Sequence, residues 1–244
     1  WETSPPEEVG DTEGVRFLGS EIWKNKDGSW SATQENYTRD LLQRNLGGEA
    51  EKWKIKKVPM SQEIEEAEPE KRTPQLVKLA QKAVGELVWL VTRCRPDLML
   101  ATSKLAAAIT KNPEAVVQAS EQVWAYLAGT PLEGLHFPPD PEDQILKVYA
   151  DAAFGTTCHG CTLIKWGQSP ILWKSSRHST FSHSTAEAEL MELVDAASAG
   201  DAVRVVIEEL VDGKIISVAF TDSSSALAIA TGETGAWRTR HLRR

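Results

Sequence analysis

The sequence predicts a mixed α/β protein in which a small helical region precedes a β-sheet flanked by helices. Two patterns carry this expectation. Between residues 73 and 129, three stretches repeat apolar residues at helical spacing, with short joints between them. From about residue 140 the pattern changes to three strand signals followed by helix, strand and helix, the order of a mixed sheet with helices packed on it.

The elements follow in chain order. Residues 1–14 are rich in Glu, Pro and Gly and read as a poorly ordered tail. Val15 to Ile22 reads as one strand, Lys26-Asp27-Gly28-Ser29 as a turn, and Trp30-Ser31-Ala32-Thr33 as the returning arm of a hairpin. Thr33 is the expected N-cap of a helix over Glu35 to Arg44, with Leu41 and Leu42 inward and Gly47-Gly48 as its stop. Residues 61–73 form a charged linker without apolar periodicity. Thr73-Pro74 opens the next helix, with Leu76, Leu79, Ala80, Ala83, Val84, Leu87 and Val88 on one stripe. A second helix starts near Pro96, and Asn112-Pro113 opens a third that stops at Gly129. Strands are expected at 145–151, 160–166 and 170–175, with a tight turn at Trp166-Gly167-Gln168-Ser169. A helix over 185–198, another over 201–210, a strand over 215–221 and a helix around Ala226 to Ala230 complete the pattern. The stripe Leu190, Leu193, Val194 and Ala197 is expected to pack on the sheet.

Bulk properties narrow the function classes. The 244 residues suffice for two small domains or one large one, and to bury a real core. No apolar run approaches the roughly 18–20 residues of a membrane span, and no signal-peptide pattern opens the chain. Three cysteines make no disulfide framework, which points to a reducing compartment. Cys158-His159-Gly160-Cys161 lacks a second ligand pair for structural zinc and reads as a hairpin or bulge with buried thiols. Trp124, Trp166 and Trp173 read as packing groups. With 27 basic and 35 acidic residues the net charge is −8, so any nucleic-acid binding must use local basic patches. Lys52, Lys54, Lys56 and Lys57 form one, and Arg238, Arg240, Arg243 and Arg244 another, each equally readable as a solvated face.

The chemistry rests on carboxylates. Asp151 and Asp222 each end an apolar strand signal, where an acid is either a strand-end turn or cap residue or a metal ligand. Ser184-Thr185-Ala186-Glu187 fits a capping box, which gives Glu187 a structural duty. Glu189 has no such duty and borders the apolar stripe in the first turns of its helix, from which it can point to a strand-end crevice. If Asp151, Glu189 and Asp222 converge, their hard oxygen ligands suit Mg²⁺ or Mn²⁺ better than zinc.

Several segments carry a family resemblance. Tyr149-Ala150-Asp151-Ala152-Ala153-Phe154-Gly155, Ile171-Leu172-Trp173-Lys174-Ser175-Ser176, Ser184-Thr185-Ala186-Glu187-Ala188-Glu189-Leu190, Thr221-Asp222-Ser223-Ser224-Ser225-Ala226-Leu227 and Arg238-Thr239-Arg240-His241-Leu242 stand in one order. In that order they resemble the ribonuclease H domain of copia-type LTR retrotransposon Pol polyproteins. Upstream, Phe17-Leu18-Gly19-Ser20-Glu21-Ile22 and Gln34-Glu35-Asn36-Tyr37 resemble the C-terminal part of that family's reverse transcriptase. Val58-Pro59-Met60, Arg95-Pro96-Asp97 and Tyr126-Leu127-Ala128-Gly129-Thr130 resemble its thumb and connecting region.

The resemblance implies a reverse transcriptase C-terminal part over 15–138 and a ribonuclease H-like mixed sheet flanked by helices over 139–244, truncated at its C-terminus. It implies metal-dependent endonucleolytic hydrolysis of the RNA strand of RNA–DNA hybrids. Asp151, Glu189 and Asp222 would be catalytic residues and ligands of two Mg²⁺ (or Mn²⁺) ions, and Arg240 and His241 would bind the substrate. The implied partners are the hybrid and the upstream reverse transcriptase and integrase parts of the polyprotein. The implied location is the cytoplasm, in a virus-like particle, or the nucleus, without secretion. Two departures stand against the family pattern. Arg243 occupies the place of a fourth acid, and Ala153 that of a second acid in the first motif. No Tyr-x-Asp-Asp segment is present, so polymerase activity is not expected of this chain. The alternatives are a catalytically impaired nucleic-acid-binding or connection module with the same fold, and a purely structural scaffold.

Overall fold

The structure is a computed structural model that describes residues 14–49, 52–60, 64–65, 67–68, 72–139, 144–155, 158–178 and 182–232. The expected tail (apart from Gly14), parts of the expected linker, and Arg238, Arg240, His241, Arg243 and Arg244 lie outside the described residues. The chain divides between Pro139 and Asp140 into two compact units, each with its own four-stranded sheet. With six α-helices among the described residues, the protein is mixed α/β. No described helix is long and apolar enough to cross a membrane.

The first unit begins with β1 (Val15–Phe17), β2 (Ser20–Lys24) and β3 (Trp30–Thr33), and β4 (Leu135–Phe137) closes an antiparallel sheet of order β1-β2-β3-β4. Where one strand was expected over Val15–Ile22, the chain folds back on itself. Leu18 (φ 50°) and Gly19 (φ 83°) take left-handed backbone, which a continuous strand forbids. The Lys26–Ser29 turn forms as expected, with Asp27 accepting from the Ser29 amide at 3.0 Å and its hydroxyl at 2.6 Å. Thr33 does not cap the following helix, because it is paired in β3 with Glu21. Helix α1 (Glu35–Leu46) starts after Gln34 without a side-chain cap.

Helices α2 (Pro74–Val91), α3 (Met99–Ala108) and α4 (Pro113–Gly129) build the core of this unit, with a 3-10 turn at Pro96–Leu98 leading into α3. The two cap-plus-proline signals hold: Thr73 Oγ1 accepts from the Leu76 amide at 3.3 Å and Asn112 Oδ1 from the Ala115 amide at 3.1 Å. Leu41, Leu42, Leu87, Leu90, Leu105, Val116, Val123 and Leu127 are buried in one cluster. The stripe of α2 is turned relative to the expected one, since Leu79 and Val88 are exposed while Leu90 and Val91 are buried. Arg95 is buried here and fully engaged. It forks onto Asp97 at 2.9 and 2.7 Å and onto the Thr130 carbonyl and hydroxyl at 2.8 Å each. Tyr126 donates to the same Asp97 at 3.0 Å.

The second unit contains β5 (Ile145–Ala153), β6 (His159–Trp166), β7 (Ser169–Arg177), α5 (Thr185–Val211), β8 (Ile216–Phe220) and α6 (Ser224–Ala230). The sheet order is β7-β6-β5-β8, with β5–β6 and β6–β7 antiparallel and β5–β8 parallel. Leu146, Val148, Ala150 and Ile164 pack against Leu193, Ala196 and Ile207 of α5. The two helices expected over 185–198 and 201–210 are one. Gly200 does not break it: the glycine lets the helix approach the sheet, since a Cβ there would meet Val148 Cγ2 at 2.6 Å. The buried stripe of α5 runs through Ala188, Glu189, Glu192, Leu193, Ala196 and Gly200, while Val194 and Ala197, expected inside, are exposed.

Candidate metal centre

The parallel pairing of β5 and β8 brings two aspartates together. Its last pair is Tyr149 with Phe220, whose rings stack at 5.0 Å. Asp151 and Asp222 each lie two residues beyond that pair, at equivalent positions of strands spaced about 4.8 Å apart. The β5–β8 pairing stops before them: Asp151 lies inside β5, still paired with Cys161 of β6, Asp222 lies just past the end of β8, and both are exposed.

Helix α5 supplies the third acid. Its start is fixed by a capping arrangement in which Ser184 Oγ accepts from the Glu187 amide at 3.2 Å and Glu187 accepts from the His183 amide at 2.6 Å. The reciprocal bond thus goes to the residue before the cap, a variant of the expected box. Two residues on, Glu189 is buried at 6% exposure, within the sheet-facing stripe rather than at its border. Carboxylate oxygens of Asp151, Glu189 and Asp222 all lie within 4.8 Å of one another.

This arrangement is electrostatically unfavourable by itself. Burial pushes the Glu189 carboxyl above the usual glutamate range, and the charges of Asp151 and Asp222 push it further. A hydrogen bond from the Ala152 backbone opposes this, and the nearby Glu192 adds to it. Glu189 Oε2 is buried with no hydrogen-bond partner among the described residues. A buried acceptor left open beside two more carboxylates fits a divalent cation, which would satisfy the orphaned oxygen and offset the repulsion together. The triad can hold a metal, and its all-oxygen donor set suits a hard one.

The structure also resolves the alternatives left by spacing. Asp222 does not cap α6, because Ser223 Oγ accepts from the Ala226 amide at 3.2 Å. Cys158 is buried against Ala152 and Ala188, and Cys161 Sγ lies 3.3 Å from Ser175 Oγ. Neither belongs to a metal cluster among the described residues. Lys52, Lys54, Lys56 and Lys57 are exposed, with Lys52 paired to Glu49 at 2.7 Å. Trp124 is buried, while Trp166 is half-buried against the second core and Trp173 is half-buried in β7.

One group beside the triad was not foreseen. Glu192, one turn after Glu189, is 2% exposed. It accepts from Thr162 Oγ1 at 2.6 Å, and its other oxygen lies 2.9 Å from His178 Nε2. The signal was present in the sequence: Glu189, Glu192, Leu193, Ala196 and Gly200 share one helical face. Assigning the stripe to Val194 and Ala197 hid it. Neither a protein-family model nor a curated protein matches the chain.

Proposed function

We propose that the second unit is a ribonuclease H-like domain of a copia-type Pol polyprotein, joined to the end of its reverse transcriptase. Its reaction is endonucleolytic hydrolysis of the RNA strand of an RNA–DNA hybrid. The observation that carries this reading is the convergence of Asp151, Glu189 and Asp222 within 4.8 Å, delivered in the order strand, helix, strand. The motif order supports the family assignment, and the mixed sheet with a strand order of β7-β6-β5-β8 is compatible with it.

When bound, two Mg²⁺ or Mn²⁺ ions supply an activated water and charge stabilisation at the leaving oxygen of a phosphodiester. The chain's own residues do the rest. Asp151 and Asp222 offer exposed carboxylates at the mouth of the site, where a phosphate can approach. Glu189 offers a buried one from α5, where burial and the two aspartates make its carboxyl harder to ionise than an ordinary glutamate until a cation enters. Arg240 and His241 are proposed to hold the hybrid's backbone, and selectivity for RNA would come from 2′-hydroxyl contacts in the minor groove. Upstream reverse transcriptase and integrase segments of the same polyprotein are the proposed protein partners.

The test is cleavage of a labelled RNA–DNA hybrid by the full chain in Mg²⁺ or Mn²⁺. Asp151→Asn is expected to lower the rate about 1000-fold, or about 4 kcal/mol in activation free energy. Hybrid binding without cleavage would support the impaired module, with Arg243 in the place of the fourth acid. Absence of both binding and cleavage would leave a scaffold.

A further inference from the structure

We infer that Glu192 is a positioning residue: clamped between β6 and the end of β7, it fixes the rotation and height of α5 so that Glu189 reaches Asp151 and Asp222. The inference rests on the reading of those three acids as a metal site, and it names the device that holds the three together before a cation arrives.

Three contacts define the clamp. Thr162, on β6, donates its hydroxyl to Glu192 Oε1 at 2.6 Å. His178, just past β7, places Nε2 2.9 Å from Glu192 Oε2, and its own amide donates to the Cys158 carbonyl at 2.9 Å. Gly160, on β6, forms the floor, because a Cβ there would sit 1.6 Å from Glu192 Oε2 and 2.6 Å from His178 Nε2. The carboxylate is therefore gripped at both oxygens and seated on bare backbone. Any rotation or slide of this turn of α5 breaks both bonds.

The placement explains an otherwise unfavourable choice. A buried acid rarely stabilises a core better than an apolar residue of similar size, and its best-attested use is to fix register. Glu192 lies one turn from Glu189 on the same face, about 4.5 Å along the axis. Glu189 is repelled by both aspartates, so a helix held only by apolar packing has reason to retreat from them. The Ser184–Glu187 cap holds α5 on one side of Glu189, and the Glu192 clamp holds it on the other.

Two measurements on the full chain test this. The first is Mn²⁺ titration calorimetry on the parent, Glu192→Ala, Glu192→Gln and Thr162→Val, with denaturation curves to establish folding. Glu192→Ala is expected to weaken Mn²⁺ binding at least about tenfold, the usual effect of removing a ligand's support. Glu192→Gln keeps the acceptor for Thr162, and its amide can donate to His178 Nε2 once the imidazole carries its proton on Nδ1, so it is expected to stay within about threefold of the parent. Thr162→Val should fall between them. Equal weakening by Gln and Ala would show that only the charge matters and would overturn the proposal. So would a folded Glu192→Ala, or a Thr162→Val, with parent affinity. The second is the metal-free crystal structures of Glu192→Gln and Glu192→Ala, or of Thr162→Val if the alanine variant does not fold. The triad should persist in the glutamine variant and open in the other, and an unchanged triad in both overturns the proposal. A parent chain that binds no Mn²⁺ would sink the metal reading alone, and the crystal structures would still decide the clamp.

Discussion

Each unit buries a charged side chain near an element end, and the two are treated in opposite ways. In the first unit Arg95 directs its guanidinium at Asp97 and at both oxygens of Thr130, and Tyr126 completes the network. In the second, Glu189 is buried with one oxygen open and two like charges beside it. The first network ties the 3-10 turn to the end of α4 and leaves no charge in need of a partner. The second leaves a deficit of positive charge where the carboxylates of Asp151, Glu189 and Asp222 meet. A satisfied buried ion holds a fold together, whereas an unsatisfied one marks a site that awaits a ligand.

The comparison can be broken at its strongest point first. Arg95→Ala removes a buried cation and orphans its partners. It is expected to destabilise the first unit by about 3 kcal/mol, read by chemical denaturation. Mn²⁺ binding at the triad should not change, and a loss there would show that Arg95 serves more than its own unit. Gly160→Ala comes next. The added methyl collides with the Glu192 carboxylate and the His178 ring, at an expected cost of about 2 kcal/mol and with weakened Mn²⁺ binding. A neutral effect on both would mean that Glu192 can move without consequence.

Glu189→Gln should show the smallest effect on stability, with the opposite sign. Removing the repelled carboxylate is expected to stabilise the metal-free chain by about 1 kcal/mol while abolishing metal binding. Destabilisation on that scale would place Glu189 with Arg95 as a structural ion. The pH dependence has a definite sign. The carboxyl of Glu189 is raised in the folded state, so folding favours its protonated form. That contribution is present at acidic pH and is lost as pH rises through the raised value. Metal binding runs the other way, because a proton must leave before the cation enters. Below the raised value, Mn²⁺ affinity should fall about tenfold per pH unit, starting at higher pH than for an ordinary glutamate. Titrations across neutral and mildly acidic pH read this directly, and a flat profile would contradict the buried, repelled state of Glu189.

Local chemistry made some of the molecule legible. Thr73-Pro74 and Asn112-Pro113 marked helix starts, because a cap oxygen and a fixed proline φ act within one turn. Asp27-Gly28 marked a hairpin for the same reason. Thr33 was misread because a good cap residue is also a good strand residue, and only pairing with Glu21 decides between them. The helices expected over 185–198 and 201–210 are one, and the role of Gly200 between them lies in the approach of Val148, a residue 52 positions away. The short β4 gave no pattern of its own and exists because β3 offers Ala32 to pair with Leu135.

The sequence by itself determined the α/β class, the three acids and the division of labour between Glu187 and Glu189. These follow from periodicity, capping and residue chemistry, all of which act over a few residues. Tertiary structure decided that the three acids meet. The parallel register of β5 on β8 put Asp151 beside Asp222, and the seating of α5 brought Glu189 to them. It also decided that Glu192 faces inward and is gripped by Thr162 and His178. The phase of a helix against a sheet is set by what both surfaces can bury together. No single segment contains that information.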